Sequence, residues 1–493
     1  MMKFFKEITK GVISALVCAS LIMTPVLAEG EVASDVNVTT KTEQEELVPP
    51  YPEDSHLSIE ETYEIPADSN SLPSWPEGPW INAESAILMD MDTGAVLYAK
   101  NAYKEQYPAS ITKLMTVLTA LEYAQDGDKV EFSKESVEFL EPGDACIGMR
   151  PGEIIDMKDA FYAILMASAN EVSYAVGESI GKQYLGGGFD EFIARMNEKS
   201  REIGCLNSHW VNANGLHDEL HYTTAYDMAV IASAIYREPV FNEIMEAFEY
   251  TIPPTNDEEE SRTFQQNHKM TWENGMYYYE NCKGGKTGYT DQAQTTLVTL
   301  ADDGNMKLAA VLLYDRGGHA YDETRELFDY GYDNFSKVNV AELEKNEDIK
   351  FFVDENPTLT LPEGVTYDSL KKEITVPDKN INEARIKYTY DDNPMGTFTV
   401  KLTTEAFKKI TGEEAPEVKA AEKKAQEEKA AKIAKIKRNI LITVGVILGI
   451  ILLILIIFLI RLYQYKKRKR LRALRARRRR QQRLAQERRK RKN

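Results

Sequence analysis

The chain has 493 residues, of which 43% are hydrophobic and 28% charged, so its composition is that of a globular protein and excludes a wholly disordered or fibrous one. Its net charge of −18 hides two opposite parts: residues 29–439 carry −37, and residues 461–493, with 18 Lys and Arg against Glu487 alone, carry +17. The acidic body would repel nucleic acid. The cysteines after residue 28 are too few for a disulfide scaffold, and they are Cys146, Cys205 and Cys282.

The N-terminus has the pattern of a secretory signal peptide over residues 1–28. Its charged region is formed by Lys3, Lys6 and Lys10. An apolar run from Gly11 to Leu27 follows, and Ala28 is the expected cleavage position. The alternative is an uncleaved membrane anchor. Residues 29–82 are rich in Glu, Ser, Thr, Asp and Pro, which predicts a flexible acidic spacer.

From residue 83 onward the pattern is that of a folded domain. Apolar runs at 86–90 and 95–99, on either side of a turn with Gly94, predict a β-hairpin, and a second strand pair is predicted between Val298 and Asp315. Helical periodicity covers about 110–123, 158–180, 189–203 and 224–236. Strands at both ends with helices between them predict an α+β (α/β) domain over residues 83–335.

Four further segments complete the chain. Short apolar runs separated by Pro, Asp, Asn and Gly predict a small β-rich domain at 337–412. Residues 413–439 are mostly Ala, Glu and Lys and predict a helical stalk. Residues 440–460 are predicted to form one C-terminal transmembrane helix, and 461–493 a basic cytoplasmic tail.

The transmembrane prediction depends on 21 consecutive uncharged residues, Ile440 to Ile460. At about 1.5 Å per residue this run can span the hydrocarbon core. A buried core helix is the alternative, although such a helix is seldom so uniformly apolar. The positive-inside rule places the +17 tail in the cytoplasm, with anionic lipid as its expected partner and nucleic acid as the alternative. We therefore expect a single-pass cell-membrane protein whose acidic body lies on the extracytoplasmic face.

The first chemical motif is Ser110-Ile111-Thr112-Lys113, at the start of a predicted helix. Positions i and i+3 share one helix face, so Lys113 can reach the hydroxyl of Ser110. A neutral lysine can take that proton and make the serine a nucleophile, and burial or nearby cations lower a lysine pKa in the required direction. The backbone N–H of a serine at a helix start can also face a developing oxyanion.

Two further motifs make this signal specific. Ser-x-x-Lys spacing alone is weak, because it also occurs at Ser179–Lys182 and Ser369–Lys372. Ser168-Ala169-Asn170 and Lys286-Thr287-Gly288, however, are each the only example of their pattern in the chain. In this order and at these separations, the three motifs form the serine acyl-transfer set of penicillin-binding proteins and serine β-lactamases.

These motifs and their surroundings resemble the D-alanyl-D-alanine carboxypeptidases, the low-molecular-mass penicillin-binding proteins of the DD-peptidase and β-lactamase-like superfamily. The resemblance covers residues 83–335 and, less specifically, 337–412. Besides the three motifs, it is carried by Met89–Gly94, Pro108–Thr116, Phe192–Gly204, Asn212–Leu216, Asn267–Met270, Gly285–Thr290 and Tyr330–Tyr332. It implies a β-lactamase/transpeptidase-like domain with an antiparallel sheet flanked by helices, and serine-type D-Ala-D-Ala carboxypeptidase activity.

The resemblance also implies a role for each matching residue. Ser110 would be the nucleophile, Lys113 the general base, and Ser168 the proton relay toward the leaving amine. The substrate-binding residues would be Asn170, Lys286, Thr287, Gly288 and Tyr289. The backbone N–H groups of Ser110 and Tyr289 would form the oxyanion hole.

The sequence departs from the family pattern at three places near these residues. Gly-Asn-Asp-Ala, Pro-His and Ala-Gly are expected, respectively, where the chain has Ala169-Asn170-Glu171-Val172, Ala213-Asn214 and Ala293-Gln294. None of these departures removes a catalytic atom. The implied substrate is a peptidoglycan stem peptide ending in D-Ala-D-Ala, β-lactam antibiotics would acylate Ser110, and neither a metal nor another cofactor is implied.

Other functions fit the sequence less well. His217 and His221 are spaced as zinc ligands, but the flanking residues suggest a surface turn and the glutamate of a zinc-peptidase signature is misplaced. A β-lactamase would need a deacylating Glu-x-x-Leu-Asn, and Glu202 to Asn207 is one residue too long. Cys282 could be a reactive thiol but is better explained as a packed strand residue. A non-catalytic or weakly catalytic sensor that binds β-lactam or peptidoglycan is the remaining alternative.

Overall fold

The computed structural model describes residues 57–490, so the predicted signal peptide (1–28) and the first part of the predicted spacer lie outside the described residues. The α-helices of the described range are α1 Ile59–Tyr63, α2 Thr112–Leu121, α3 Glu135–Glu138, α4 Met157–Met166, α5 Asn170–Tyr184, α6 Phe189–Ile203, α7 Ala225–Ile235, α8 Pro239–Glu246, α9 Ala320–Asn334, α10 Val340–Leu343, α11 Thr404–Thr411 and α12 Pro416–Lys490. Its strands are β1 Ser85–Asp90, β2 Val96–Lys100, β3 Lys129–Glu131, β4 Ile154–Asp156, β5 Glu249–Ile252, β6 Arg262–Gln265, β7 Cys282–Thr290, β8 Gln294–Asp302, β9 Lys307–Asp315, β10 Phe335–Asn339, β11 Ile349–Phe352, β12 Thr358–Pro362, β13 Lys371–Thr375, β14 Ala384–Tyr390 and β15 Asn393–Leu402.

The centre of the fold is a five-stranded antiparallel sheet in the order β2-β1-β9-β8-β7. The predicted hairpin is β1–β2, and the predicted second strand pair is β8–β9, so both predictions are confirmed. Successive side chains of a strand point to opposite faces. Ile87 and Met89 accordingly pack in one core, and Ala86 and Leu88 in a second core on the other face. Covering both faces explains why these strands are continuously apolar.

The first core holds the helices that carry the candidate motifs. Helix α2 is buried along nearly its whole length and packs against α4, α5, α6 and α7. The periodic stretch at 158–180 predicts one helix, but it forms two helices, α4 and α5. The break falls at Ser168, whose backbone is left-handed with a φ of 61°. A continuous α-helix cannot contain that conformation, so the helix ends there. The apolar periodicity of the sequence runs across the break and does not reveal it.

The second core joins the central sheet to the β-rich segment. Strands β11, β15, β14 and β13 form a four-stranded sheet, while β10 pairs with β12. Leu88 and Leu308 of the central sheet share one buried cluster with Leu359, Phe398 and Phe407. The predicted segment at 337–412 is therefore rich in strands, and its apolar side chains complete a core that begins under the central sheet.

Residues 57–82, named here the N-terminal strap, are folded, which corrects the prediction of a flexible spacer for this part of 29–82. The fully buried Nζ of Lys100 donates hydrogen bonds to the carbonyls of Thr62 (2.8 Å) and Ile81 (2.7 Å). Polar composition suggested disorder because few large aliphatic residues are present. The strap is held instead by hydrogen bonds to a buried lysine, which composition alone does not reveal.

Trp75 is the main apolar anchor of the strap. Its ring lies 5.3 Å from that of Phe335 and 6.0 Å from that of Tyr390, measured between centroids, and its Nε1–H donates to the carbonyl of Leu97 (2.9 Å). These three residues belong to β10, β14 and β2. Trp75 therefore connects the central sheet with both parts of the β-rich segment.

Replacing Trp75 by alanine should lower the free energy of unfolding by about 3–5 kcal/mol, because a buried indole ring and its hydrogen bond are lost. Trp80→Ala is the matched control in the same strap: Trp80 is 46% exposed, and its loss should cost less than about 1 kcal/mol. Urea unfolding of the two variants measures the difference. Equal midpoints for both would show that the strap does not contribute to the core.

The predicted stalk, transmembrane segment and tail form one continuous helix, α12, as far as the described residues extend. It is the one described helix long and apolar enough to cross a membrane. The large apolar side chains between Ile440 and Ile460 are 45–74% exposed, which does not fit a buried core helix. The helix starts on the β-rich segment, where Ala415 is buried and the Asn382 side-chain amide donates to Glu417 Oε1 (2.7 Å).

Candidate active site

Ser110 lies in a tight turn that is fixed from three sides. A 3₁₀ turn, Ala109–Ile111, precedes α2, and Ala109 is left-handed with a φ of 51°. The carbonyl of Pro108 accepts a hydrogen bond from Thr296 Oγ1 (2.8 Å), and that of Ala109 accepts one from Thr112 Oγ1 (2.8 Å). Gly215 lies so close that a Cβ on it would be 1.8 Å from the Ala109 oxygen. Such contacts maintain a backbone conformation that alanine rarely adopts.

The amine of Lys113 sits at the centre of the site and is fully buried. Its Nζ is 2.9 Å from Ser110 Oγ, 2.7 Å from Asn170 Oδ1 and 2.6 Å from the carbonyl oxygen of Asn214. An amide oxygen and a carbonyl oxygen only accept hydrogen bonds. A neutral amine has two N–H groups, which these oxygens use, and one lone pair, which is left to face the hydroxyl of Ser110. The geometry therefore suits a neutral lysine acting as a base.

The electrostatic surroundings favour the same protonation state. Burial, assisted by the positive charge of Lys286, holds the pKa of Lys113 well below its usual range. Nearby Glu171 and Asp144 act in the opposite direction with smaller effect. Burial also lowers the pKa of Lys286, to about 7.

The Lys286-Thr287-Gly288-Tyr289 segment lies on β7, at the edge of the central sheet. Lys286 is buried, and its Nζ donates to the carbonyl of Thr287 (2.8 Å), whereas Tyr289 is 61% exposed. Gly288 packs against the nucleophile turn: a Cβ there would lie 2.4 Å from Thr296 Oγ1 and 2.8 Å from the backbone nitrogen of Ser110. The absence of a side chain lets the strand approach Ser110 at its backbone.

Ser168 and Asn170 lie at the junction of α4 and α5. Ser168 is buried and has a left-handed backbone. Asn170 is the first residue of α5, and its Oδ1 accepts a hydrogen bond from Lys113 Nζ. The backbone N–H of Asn170 donates to Ala145 (2.8 Å), while Glu171 Oε1 accepts the N–H of Ile147 (2.8 Å). The helix start thereby fixes the 145–147 loop next to the site.

The other candidate residues lie in different environments. Lys182 pairs with Glu178, and Lys372 with Glu344, so neither faces a serine as Lys113 does. Glu202 is paired with Arg195 at an exposed position on α6. Burial raises the pKa of the Cys282 thiol to about 12, which disfavours a reactive thiolate.

Two contributors to the site were not predicted from the sequence. The Asn214 carbonyl binds Lys113 through the backbone, which leaves no signal in residue identity. The sequence places His221 in a surface turn, but it is fully buried and its Nε2 lies 2.8 Å from Thr112 Oγ1. The described residues contain no group of three or more His, Cys, Asp or Glu arranged to hold a metal ion.

Comparison with known proteins identifies the family. Residues 73–317 match the peptidase family described as D-alanyl-D-alanine carboxypeptidase, peptidase S11. The chain belongs to this family. The carboxypeptidase DacF of Bacillus subtilis is 29% identical over 60% of this chain and 77% of its own, and DacA of Escherichia coli is 28% identical over 61% and 76%. The structure of penicillin-binding protein 6B from Escherichia coli is similar over 68% of this chain and 99% of its own, with 25% identity and a TM-score of 0.51.

As a carboxypeptidase family member, this chain differs from the expected pattern at positions 214 and 294, among others. Gln294 stands where glycine was expected and is left-handed, with a φ of 52°. Asn214 stands where histidine was expected, but its contact with Lys113 uses the backbone carbonyl and is independent of the side chain. The differences therefore leave the hydrogen bonds around Lys113 in place.

Proposed function

We propose that the chain is a serine-type D-Ala-D-Ala carboxypeptidase that removes the terminal D-alanine from peptidoglycan stem peptides through an acyl-enzyme on Ser110. The observation that carries this proposal is the set of three contacts around the buried Lys113 amine. Two acceptor-only oxygens and a depressed pKa leave a lone pair for the Ser110 hydroxyl, which is the arrangement that serine activation by lysine requires.

In the first step, Ser110 Oγ attacks the carbonyl carbon between the two D-alanines while its proton passes to Lys113. The carbonyl oxygen becomes an oxyanion, for which the backbone N–H groups of Ser110 and Tyr289 are the proposed donors. The close packing of Gly288 on the Ser110 nitrogen supports this pairing, because it brings the two segments together.

Collapse of the tetrahedral intermediate breaks the C–N bond. The proton held by Lys113 is passed to the leaving nitrogen, for which we propose Ser168 as the relay and Lys286 as the charge that steers it. D-alanine leaves, and Ser110 carries the remaining peptide as an ester. Water then attacks the ester carbonyl, with Lys113 again accepting a proton, and releases the shortened peptide and free Ser110.

The remaining motif residues are proposed to hold the substrate. Asn170 would bind an amide of the peptide while keeping Lys113 oriented through the contact already present. Thr287, with Lys286 behind it, would bind the terminal carboxylate. Gly288 and Tyr289 would align the peptide along the exposed edge of β7, because an edge strand has backbone groups available for an added strand.

A β-lactam antibiotic would acylate the same serine. Opening of its ring forms the Ser110 ester, but the leaving nitrogen stays attached and can hinder the approach of water. A β-lactamase would need a further base for rapid deacylation, and Glu202 is occupied by Arg195 on the surface of α6. A sensor that is acylated by a β-lactam would need the same activated Ser110, so D-alanine release, and not the protonation state of Lys113, separates the sensor from the carboxypeptidase.

The test is release of D-alanine from a peptide ending in D-Ala-D-Ala by the detergent-solubilised chain. We expect steady release that stops once a fluorescent penicillin has labelled one site per chain, with the label on the peptide that contains Ser110. Labelling without any release would instead favour the sensor. Absence of both would contradict the proposed function.

We further propose that α12 anchors the protein as a single-pass membrane protein with the active site outside. The exposed apolar span between Ile440 and Ile460 supports the anchor, and the +17 tail supports a cytoplasmic C-terminus facing anionic lipid. The stalk would then hold the catalytic domain away from the membrane surface.

A chain that ends at residue 438 should remain active and be recovered in the soluble fraction, because it lacks the span and the tail. Recovery of penicillin label in washed membranes and in the supernatant measures this. As a control, a chain that ends at residue 465 keeps the span and should stay with the membranes. A 438-residue chain that stays with the membranes would show that another segment is the anchor.

A further inference from the structure

A chain of hydrogen bonds leads from a buried histidine to the turn that presents Ser110. His221 Nδ1 is 3.1 Å from the backbone nitrogen of Val211, and His221 Nε2 is 2.8 Å from Thr112 Oγ1. Thr112 Oγ1 is in turn 2.8 Å from the carbonyl oxygen of Ala109, the residue before the nucleophile. Of these residues, only Thr112 belongs to an acyl-transfer motif, as the third residue of the first motif.

The direction of each hydrogen bond is fixed by its neighbours. A backbone N–H can only donate, so His221 Nδ1 accepts from Val211, and the proton of a neutral imidazole is then on Nε2. Nε2–H must donate to Thr112 Oγ1, which leaves the threonine proton for the Ala109 carbonyl. A carbonyl can only accept, so every donor and acceptor along this chain has a partner of the correct kind.

The surroundings keep His221 in this single state. It is fully buried, the indole of Trp210 packs edge-on at 5.5 Å between ring centroids, and burial lowers its pKa to about 3. The two residues after His221 are held by isolated β-bridges, Tyr222 with His209 and Thr223 with Gln106. A neutral imidazole of one tautomer and one orientation is therefore present throughout the neutral pH range.

The turn itself needs such support. Ala109 is left-handed, a conformation that an alanine adopts only when its surroundings impose it. The Ala109 oxygen accepts a hydrogen bond from Thr112 and packs on Gly215, so its position sets the direction of the following Ser110 backbone. A small rotation there would move Ser110 away from both Lys113 and Tyr289, whose N–H is the other proposed donor to the oxyanion.

We propose that His221 is a positioning residue for acylation: by donating to Thr112 it aims the threonine hydroxyl at the Ala109 carbonyl and so holds the turn that presents Ser110. The inference rests on the proposed function and extends it to a residue outside the three motifs. It assigns His221 no contact with the substrate and no proton transfer. It also explains why a hydroxyl residue follows Ile111 at a buried position facing a histidine.

The test compares side chains that keep different parts of the hydrogen-bond chain. A glutamine at position 221 can place an N–H near the position of Nε2, whereas an asparagine can only reach the position of Nδ1. We expect His221→Asn and Thr112→Val to slow penicillin acylation of the full-length chain by about 10- to 100-fold, because the nucleophile is misplaced. The KM for D-alanine release should change little, and His221→Gln and Thr112→Ser should restore most of the rate.

Two further measurements separate positioning from general destabilisation. Thr119→Val is the matched control, since Thr119 is equally buried on α2 and bonds only the carbonyl of Met115; it should acylate at the wild-type rate. The double variant that combines His221→Asn with Thr112→Val should acylate no more slowly than the slower single variant, because both substitutions break the same series of hydrogen bonds. If a position-221 variant fails to fold, the Thr112→Val and Thr112→Ser pair still decides the question.

Several results would overturn the proposal. Wild-type acylation by Thr112→Val, or activity in His221→Asn with loss in His221→Gln, would show that the histidine serves only the Val211 loop. Multiplied losses in the double variant would show two independent effects. Failure of the wild-type chain to release D-alanine would instead count against the proposed function, and acylation rates would still report on the positioning of Ser110.

Discussion

Replacing Ser110 by alanine is expected to abolish both D-alanine release and penicillin labelling, with a loss of about 10⁴-fold or more in turnover. The hydroxyl is the atom that forms the acyl-enzyme, and water cannot use the same position relative to Lys113 and the oxyanion hole. The fold should persist, because the Ser110 side chain contributes only its contact with Lys113 while the turn is held through backbone carbonyls. D-alanine release and fluorescent labelling are measured side by side, with thermal unfolding as the check on folding.

The chain contains its own matched controls for this experiment. Ser179 and Ser369 have the same spacing to a lysine as Ser110, but their lysines pair with Glu178 and Glu344. Alanine at either position should leave release and labelling unchanged. Covalent label that persists in the Ser110→Ala protein, or that disappears in Ser179→Ala, would place the nucleophile elsewhere.

These controls also show why the sequence predicted the catalytic motifs. Three copies of one spacing could be separated because only one had two partner motifs at the expected distances. The sheet could be predicted as well, since the interior residues of β1 and β9 are apolar and both strands adjoin Gly-containing turns. Each motif and each strand is a local pattern in the chain, and local patterns determine which residues can share a helix face or a strand.

The parts that sequence did not predict depend on backbone atoms or distant contacts. The break at Ser168 and the left-handed Ala109 are conformations that residue identity does not indicate. Asn214 supports Lys113 by a carbonyl, which every residue has. The sequence predicts a spacer where the strap lies, because the residues that anchor the strap, Lys100 and Phe335, lie on distant strands.

The second large effect concerns the two buried lysines, Lys113 and Lys286, which should lose very different amounts of activity on the same substitution. Arginine remains charged at all accessible pH values and has no lone pair for a proton. At position 113 it removes the base, so Lys113→Arg should reduce acylation by about 10³-fold or more. At position 286 it keeps the positive charge, so Lys286→Arg should cause a much smaller loss. Equal losses in both variants would show that the two lysines do not have separate roles.

The pH dependence of kcat/KM gives an independent measure of the same assignment. Burial holds the pKa of Lys113 well below its usual range, and the neutral form that the mechanism requires is lost as the pH falls through that depressed value, giving the acid limb. The pKa of Lys286 is about 7, so its charge is lost as the pH rises through that value, giving the alkaline limb in the free enzyme. Lys286→Arg should therefore remove the alkaline limb and leave the acid limb in place. An alkaline limb that persists near pH 7 in that variant would exclude Lys286 as the group that must be charged. The positive charge that helps to bind the terminal carboxylate would then have to come from another residue.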